Sequence, residues 1–378
     1  MRVNTVFIVG IEFDFSKEPR IIQEIAALKG KCRLVGAGKG THPDMDEFID
    51  ITQDRLLIDR ILDILLIVLK YYFPFLLRFR HRKVLNRIAE LKPDTVSTHH
   101  LESAFIVGKV AKAIVFNSHE YIPRMYDGSR AWRMTKGWLI RRTMLDVLKN
   151  TRVMYVESQA VVDGYQQKFD VLPEIAIVPN ASRSHPKLTP VTVLEGSPIR
   201  LVHHGIASPG RGLEMIIDAA RELGKGYRLS LYLVGTESNV RHLKEYAKDV
   251  TNVTFPEPVP FDKIIPVMNQ YDIGLCMFRS ANYHTLYTTV PNKFWEYLTA
   301  RVVPLVWSQS AMKAVLDRYD VGFISPDNTV QSIVETIKKI DFSEINVQKQ
   351  RIHDLQSTLT GEYLIDPVIQ KYELVGDA

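Results

Sequence analysis

The sequence predicts an α/β protein built from two doubly wound parallel sheets. Three observations support this prediction. The chain has 378 residues, more than one typical domain needs. Two separate series of apolar, strand-like runs alternate with amphipathic, helix-like runs, as parallel sheets require. Between the two series, residues 182–198 are rich in proline, serine and other short polar residues, which predicts a linker after a first domain over 1–181.

The first series opens with the short apolar run NTVFIVG, residues 4–10. Because it lacks a cleavage signature, we interpret it as a first strand and not as a signal peptide. A helix follows at KEPRIIQEIAALKG, where Gly30 closes a face of apolar residues at helical spacing. KCRLVGAG is the next predicted strand. VGAGKG, residues 35–40, lacks the full spacing of a dinucleotide fingerprint, so we interpret it as a turn. Further strands are predicted at PDTVSTHH, AIVFNSHE and TRVMYVES.

The second series begins at residue 199 and has the same alternation. Strands are predicted at RLVHHG, YRLSLYLVG, NVTFP, YDIGLCMF and VVPLVW, and helices at RGLEMIIDAARELG, NVRHLKEYAKDV, FDKIIPVMNQ and PNKFWEYLTA. Ligands of such folds bind at the carboxyl ends of the strands, so we expect the site in a cleft between the domains.

The composition excludes several classes of protein. Hydrophobic residues make up 46% of the chain and charged residues 24%, as in globular proteins with real cores. Cys32 and Cys276 are too few for a disulfide framework and favour a reducing cytosol. Asp44 and Asp46 lie in a polar loop with nothing nearby to complete a divalent site, so no metal is expected. The net charge of +5 favours an anionic partner, but no nucleic-acid module is recognisable and nucleic-acid binding is not expected.

Two predicted strands of the first series end in histidine. His99 and His100 end one strand, and His119 ends another with Glu120 and Arg124 beside it. A histidine at such a position can hydrogen-bond a sugar or act as an acid or base near neutral pH. The alternative is that these histidines are structural. His119 is the stronger candidate because of its charged neighbours.

The stretch HHGIASPGRGLE, residues 203–214, predicts a strand, a glycine-rich loop and the start of a helix. Gly205 and Gly210 permit a tight backbone, and Arg211 and Gly212 open the helix. Free N–H groups at this turn and the Arg211 guanidinium can hold a diphosphate. A plain surface turn is the alternative.

The stretch VPNKFWEYL, residues 290–298, predicts a second helix start at the same cleft, with Pro291 at the first helical position. Asn292 and Glu296 share one face, whereas Phe294 and Leu298 share another that suits the sheet. A carboxylate one turn into the helix can accept two hydroxyl protons from a ribose diol. Phosphate at the helix start and sugar hydroxyls one turn further in would suit a nucleotide sugar. The alternative is a solvated glutamate.

Taken in order, these motifs resemble the GT-B glycosyltransferases of family four, the retaining glycosyl transferases group 1. The resemblance spans nearly the whole chain and rests on STHHLES, FNSHEYIP, VPNAS, HHGIASPGRGLEMIIDAARELG, YLVGTES, NVTFPEPVP, YDIGLCMF and PNKFWEYLTARVVPLV. It implies two Rossmann-like doubly wound domains that face each other across a cleft. The second would span 199–357, and 358–378 would form a helix that returns to the first.

The resemblance also implies residue roles. Arg211 takes the place of the cation that grips the donor diphosphate, and Glu296 that of the second acid of the family's Glu-x7-Glu motif, which binds the ribose. His119 falls near a histidine that meets the transferred sugar, so these three are the catalytic candidates. The implied donor-binding residues are Gly205, Arg211, Gly235, Phe255, Val259, Pro291, Asn292, Lys293 and Glu296. The implied acceptor-binding residues are Gly10, His99, His100, His119, Glu120 and Arg124.

Two positions depart from the family pattern. The first acid of Glu-x7-Glu is replaced by Thr288, and the arginine often found after the equivalent of Gly205 is replaced by Ile206. These changes affect the contacts to the transferred sugar and one phosphate contact. Lys293 is a candidate to replace some of the lost positive charge.

The resemblance implies transfer of a hexosyl-type sugar with retention and without a metal or cofactor, the nucleotide diphosphate sugar being a co-substrate. The departing diphosphate would assist the acceptor hydroxyl, and the protein would supply positioning and electrostatic stabilisation. If the reaction inverts, His119 is the first candidate base. The alternatives are a GT-B-fold nucleotide-sugar epimerase and a non-catalytic subunit that binds a nucleotide sugar or glycan.

The most apolar part of the chain, residues 56–79, is too interrupted by charge to span a bilayer. Around it, 55–83 holds seven Lys or Arg residues against two Asp, and 124–152 holds eight against two. Such segments can lie on an anionic membrane surface, and the alternative is a buried helix of the first domain. Because similar enzymes often use glycan, polyprenyl-linked or other lipid acceptors, we expect a cytoplasmic enzyme, peripheral on the inner face of the cell membrane, in polysaccharide, lipopolysaccharide or glycolipid assembly. A soluble acceptor is the alternative.

Overall fold

The computed structural model describes residues 5–51, 81–111, 114–124, 137–278, 285–365 and 372. The chain divides into two compact units, Met1–Pro179 with Ile365–Ala378, and Asn180–Leu364. Each unit contains one sheet of parallel strands with helices in the connections, so the predicted pair of doubly wound α/β domains is confirmed.

The sheet of the first unit has the strand order β3-β2-β1-β4-β5-β6-β7. Its strands are β1 (Thr5–Asp14), β2 (Arg33–Lys39), β3 (Glu47–Asp50), β4 (Thr95–His99), β5 (Ile114–Asn117), β6 (Thr151–Val156) and β7 (Glu174–Ile177). The helices of its described part are α1 (Pro19–Leu28), α2 (Arg82–Leu91), α3 (Leu101–Val107), α4 (Trp138–Asn150) and α5 (Gln159–Lys168). The strand order reverses between β1 and β4, which is where ligands of open parallel sheets bind.

Strand β1 shows why this sheet is covered on both faces. Val6 and Ile8 pack in one apolar cluster with residues of α1, whereas Phe7 and Val9 pack in another with residues of α2. Alternate side chains of a strand point to opposite faces. A strand that is apolar at every position therefore needs a helix on each side.

The interpretation of residues 35–40 as a turn is wrong, because most of this stretch belongs to β2. Its glycines are needed for close packing against aromatic rings. A Cβ atom at Gly36 would lie 2.8 Å from Cδ2 of Phe48, and one at Gly38 would lie 2.3 Å from Cε2 of Phe15. Glycine inside a strand often marks such a close approach.

The sheet of the second unit has the order β10-β9-β8-β11-β12-β13. Its strands are β8 (Ile199–Ile206), β9 (Tyr227–Val234), β10 (Val253–Thr254), β11 (Ile273–Leu275), β12 (Val303–Trp307) and β13 (Phe323–Ser325). Its helices are α6 (Leu213–Leu223), α7 (Glu237–Tyr246), α8 (Ile264–Met268), α9 (Thr285–Thr288), α10 (Asn292–Thr299), α11 (Ala311–Tyr319), α12 (Val330–Lys339), α13 (Phe342–Asp354), α14 (Gln356–Leu359) and α15 (Gly361–Leu364). Here the order reverses between β8 and β11, so the carboxyl end of β8 is the expected ligand position.

Residues 182–198 contain no helix or strand but are attached to the second unit. Val193 is buried, its N–H donates to Oδ1 of Asn346 at 2.8 Å, and its C=O accepts from Nδ2 of the same side chain at 3.0 Å. At the other end of the chain, Ile365 and Tyr372 are buried in the core of the first unit. The segment proposed as a linker thus packs on the second unit.

The predicted membrane-binding segments lie largely outside the described residues. These comprise 55–80 of the segment 55–83 and 125–136 of the segment 124–152. Among the helices that the structure describes, none combines the length and the apolar character that crossing a bilayer requires.

Candidate functional site

The carboxyl end of β8 leads into a tight loop in the second unit. Gly205 has φ 126°, and Gly212 has φ 63° at the N-cap of α6, conformations that favour glycine. Between them Pro209–Arg211 forms a 3₁₀ turn, so Arg211 precedes the helix instead of opening it. The loop therefore presents backbone and the Arg211 side chain at the end of the strand.

Gly235 braces this loop from the end of β9. It has φ 146°, and a Cβ atom there would lie 2.9 Å from the carbonyl oxygen of Ala207. Ala207 donates its N–H to the carbonyl oxygen of Val234 at 2.7 Å, and its own carbonyl oxygen accepts from Nδ2 of Asn239 at 3.0 Å. Both backbone groups of Ala207 are thus satisfied, which fixes the path of the loop.

Helix α10 is the second element of the site. Pro291, predicted at the first helical position, is instead the N-cap, and the helix begins one residue later at Asn292. Asn292 is exposed, whereas Lys293 and Glu296 are only 5% and 6% exposed. Phe294 and Leu298 are fully buried, as expected of the face towards the core. The helix therefore places an amine and a carboxyl group inside the second unit.

Lys293 is held by a histidine whose tautomer is fixed. Nδ1 of His203 donates to the carbonyl oxygen of Leu275 at 2.9 Å, so Nε2 is left to accept from Nζ of Lys293 at 3.0 Å. Nζ also lies 5.0 Å from the centre of the Phe278 ring, and the guanidinium carbon of Arg211 lies 5.9 Å from the same ring. Both basic side chains thus lie near the same aromatic ring.

The ammonium group of Lys293 also lies against the backbone of the loop. A Cβ atom at Gly205 would be 3.2 Å from Nζ of Lys293. The neighbouring Ile206, which stands where the family resemblance implies an arginine, is 50% exposed. Lys293 therefore brings positive charge, from another element, to the strand end where that arginine is missing.

Glu296 lies beside His204. Its Oε2 is 3.2 Å from Nε2 of His204, which is within ion-pair distance. The two atoms are not aligned for a hydrogen bond, and Nε2 of His204 has no hydrogen-bond partner among the described residues. The His204 ring contacts the Tyr297 ring edge-on at 5.2 Å. Glu296 is thus buried beside the His204 ring, with a carboxylate oxygen still able to accept hydrogen bonds.

Burial shifts the pKa values of Lys293, Glu296, His203 and His204. Desolvation, reinforced by Arg211, lowers the pKa of Lys293 to about 7. Desolvation also raises the pKa of Glu296 to about 7, partly opposed by Lys293, and lowers the pKa of His204 to about 3. The pKa of His203 is lowered well below its usual range by the same cause. Near neutral pH, an arriving anion can therefore readily restore the charge of Lys293.

The first unit holds a separate chain of polar groups at the carboxyl ends of β4 and β5. Nε2 of His99 lies 2.6 Å from Oε2 of Glu24, and Nδ1 of His99 lies 2.8 Å from Nε2 of His119. Nδ1 of His119 lies 3.3 Å from Oε1 of Glu18, and the ring stacks on Phe13 at 4.7 Å. The structure thus brings together the histidines that the sequence analysis selected at two strand ends.

The other acceptor-binding candidates have varied surroundings. His100 has φ 77°, an unusual conformation for a residue other than glycine, at the turn from β4 into α3. Glu120 is exposed, and its carbonyl oxygen accepts from Oγ of Ser118 at 2.9 Å. Gly10 lies inside β1, where side chains of Ile21 and Phe15 cover it. The side chain of Arg124 lies outside the described part of the chain.

The remaining donor candidates are on loops of the second unit. Phe255 and Val259 follow β10, and Phe255 is partly buried against the core. Thr288, which stands in place of the family's first acid, is the last residue of α9. The binding roles of these residues stay predictions.

Sequence reasoning missed five residues that contact the candidates: Glu18, Glu24, His203, His204 and Phe278. The doublet His203-His204 precedes a glycine at a strand end just as His99-His100 ends β4, so that pattern was available as a signal. Glu18 and Glu24 gave no signal, because they meet their histidines only through the packing of α1 and the residues before it against the strand ends.

The shifted Lys293 gives a testable stability prediction. Between pH 7 and the ordinary lysine pKa of 10.5, the unfolded chain holds a proton on Lys293 that the folded chain has released, so the free energy of unfolding rises with pH. Urea unfolding from pH 7.5 to 9.5 should show wild type gaining stability relative to Lys293→Met, by at most about 1.4 kcal/mol per pH unit. Lys338→Met, at an exposed lysine, should parallel wild type. Equal slopes for wild type and Lys293→Met would contradict the shift.

Residues 198–340 match the family model described as "Glycosyl transferases group 1", a segment that contains Arg211, Lys293 and Glu296. No curated protein matches the sequence. Among solved structures, the chain is similar to a sucrose-phosphate synthase from Thermosynechococcus elongatus at TM-score 0.72 and 11% identity, covering 98% of this chain and 99% of that one. It is also similar to a glycosyltransferase from Rickettsia africae at TM-score 0.70 and 12% identity, covering 100% of both chains.

A third similar structure is WaaG, a glycosyltransferase involved in lipopolysaccharide biosynthesis, at TM-score 0.67 and 12% identity, covering 99% of this chain and 100% of that one. At these identities the likeness establishes the fold, and the family match adds the segment that holds the buried lysine and glutamate. The chain thus has the two-domain, Rossmann-like GT-B fold, and the matches support a group 1 glycosyltransferase.

Proposed function

We propose that the protein transfers a hexosyl-type sugar, with retention and without a metal, from a nucleoside diphosphate sugar to a hydroxyl of a glycan or lipid-linked acceptor. The observation that carries the proposal is the burial of Lys293 and Glu296 in α10, next to Arg211 and the loop after β8. Buried charges cost stability unless they are paired, so their presence at a strand end is better explained by a ligand. The match over residues 198–340 supports sugar transfer.

The donor diphosphate is proposed to bind at Arg211 and Lys293. Both side chains lie near the Phe278 ring, and Nζ of Lys293 lies 3.2 Å from where a Cβ atom at Gly205 would be. Backbone N–H groups of the loop and of the start of α10 would complete the anion site. In this arrangement Lys293 supplies the positive charge that is missing at position 206, where Ile206 replaces the arginine implied by the family resemblance.

Glu296 is proposed to accept the two hydroxyls of the donor ribose. A carboxylate binds a diol best when it is ionised, whereas burial raises the pKa of Glu296. A bound diphosphate would keep Lys293 protonated, and Lys293 lowers the pKa of Glu296. The two subsites would therefore reinforce each other. Gly235 and Asn292 are proposed to contribute to the donor site, with Phe255 and Val259 beside the base.

In the transfer step, the cations would stabilise the charge that develops on the departing diphosphate. His119 is the proposed contact to the transferred sugar. Burial and the nearby Arg20 lower the pKa of His119 well below its usual range, which makes it a weak base. That property favours the retaining route, in which the departing phosphate and not a side chain takes the acceptor proton.

The donor site is tested by thermal shift against uridine, guanosine, deoxythymidine and adenosine diphosphate sugars without added metal. One base class should raise the wild-type melting temperature by roughly 2 °C or more at saturation, and Glu296→Ala should lose that response. Glu335→Ala, which removes an exposed glutamate from α12, should respond as wild type does. If no nucleotide sugar stabilises wild type, the result contradicts the proposed donor site and favours a non-catalytic subunit that binds a glycan.

We further propose that the protein is cytoplasmic and binds the inner face of the cell membrane through the first unit, where it would act on a lipid-linked acceptor. Much of 55–83 and 124–152 lies outside the described residues, but α4 provides support within them. This helix exposes Arg141, Arg142 and Lys149 together with Leu145, which is 39% exposed. Basic residues beside an exposed apolar side chain suit an anionic lipid surface.

Co-sedimentation with vesicles tests this proposal. Wild type should bind vesicles that contain anionic lipid, lose binding as salt is raised, and bind neutral vesicles weakly. The double variant Arg141→Glu/Arg142→Glu should bind less, whereas Lys338→Glu/Lys339→Glu, in α12 of the second unit, should bind like wild type. Absence of salt-sensitive binding would favour a soluble acceptor.

A further inference from the structure

The chain of polar groups in the first unit extends beyond the histidines to a tyrosine near the end of the sequence. His99 has a fully buried side chain, that of Glu24 is 3% exposed, and Tyr372 donates its hydroxyl to Oε1 of Glu24. At the opposite end, the side chains of His119 and Glu18 are 16% and 22% exposed. The chain therefore runs from a closed end at Tyr372 to an open end at Glu18.

When both imidazoles are neutral, each has one donor and one acceptor nitrogen, so the hydrogen bonds that link Glu24, His99 and His119 all point the same way. If Glu24 is ionised, it can only accept, so His99 donates from Nε2 and its Nδ1 becomes an acceptor. His119 then donates from Nε2 to His99, and its own Nδ1 keeps a lone pair facing Glu18. If Glu18 is the ionised end instead, every one of these roles is reversed, and both imidazoles change tautomer.

The two ends of the chain decide between these directions. Glu24 accepts a second hydrogen bond from Tyr372, which favours its ionised form. At the open end, the largest influence on Glu18 is burial, which raises its pKa, whereas the nearby His99 and Arg20 act in the opposite direction.

We propose that Glu24, held by Tyr372, is the ionised end of this chain, and that Glu24 and His99 are positioning residues for His119. They hold His119 as the neutral Nε2–H tautomer, with the lone pair of Nδ1 at the open end. Oε1 of Glu18 lies 3.3 Å from that nitrogen.

This inference rests on the proposed contact of His119 with the sugar and makes that contact specific. A group that displaces Glu18 from Nδ1 of His119 must bring its own proton, as a sugar hydroxyl does. A carboxylate or phosphate oxygen would face the lone pair without a proton and would be repelled. His119 would therefore select a hydroxyl at this point and exclude an anion.

The test is the nitrogen chemical shift of the two histidines in the full-length, ligand-free protein labelled with ¹⁵N-histidine. His99→Gln and His119→Gln identify the signals. At pH 7.5 both rings should be neutral with the proton on Nε2. A proton on Nδ1 of both rings, or a doubly protonated His119, would overturn the proposal.

Tyr372→Phe tests the closed end. It removes one donor to Glu24, so the signals of both histidines should move towards a mixture of the two tautomers. Tyr121→Phe removes another buried hydroxyl, which donates to the carbonyl oxygen of Gly164 outside the chain, and should leave the signals unchanged. Unchanged signals in Tyr372→Phe would overturn the role of Tyr372. The tautomers are measured without any nucleotide sugar. A failure to bind nucleotide sugars would therefore contradict the proposed function without affecting the tautomer result.

Discussion

The proposed donor site depends on one constraint, the burial of two ionisable side chains inside the second unit. Lys293 and Glu296 are one turn apart in α10, and every residue between them is buried. The fold tolerates them because His203 accepts a hydrogen bond from the Lys293 amine. In addition, each group has a pKa of about 7, so its neutral form is readily populated near pH 7. An anion bound at Arg211 would again favour the charged form of Lys293. The free-energy cost of burying this charge would therefore be offset when the donor binds.

In both units, a neighbouring oxygen orients a histidine ring. In the second unit the carbonyl oxygen of Leu275 accepts a hydrogen bond from Nδ1 of His203, so Nε2 of His203 faces Lys293. In the first unit the Glu24 carboxyl group faces one nitrogen of His99, whose other nitrogen faces His119. A histidine with a fixed neighbour presents a defined donor or acceptor at the strand end, where ligands of parallel sheets bind.

Much of the fold could be predicted from the sequence, because buried parallel strands are apolar at nearly every position and end in polar residues. The candidate residues at those ends followed from the same rule. The glycines of residues 35–40 were misinterpreted because composition does not distinguish a turn from a strand that packs under Phe15 and Phe48. The burial of Lys293 and the contact of Tyr372 with Glu24 depend on elements distant in sequence, which no local pattern encodes.

We propose that Lys293 is a weakly charged amine and that a bound diphosphate restores its positive charge. Calorimetric titration of a nucleoside diphosphate at pH 8, in two buffers of different ionisation enthalpy, measures the protons taken up on binding. We predict net proton uptake by wild type, because the anion raises the Lys293 pKa from about 7, and a clear loss of that uptake in Lys293→Met. Binding without proton uptake, or the same uptake in both proteins, would contradict it.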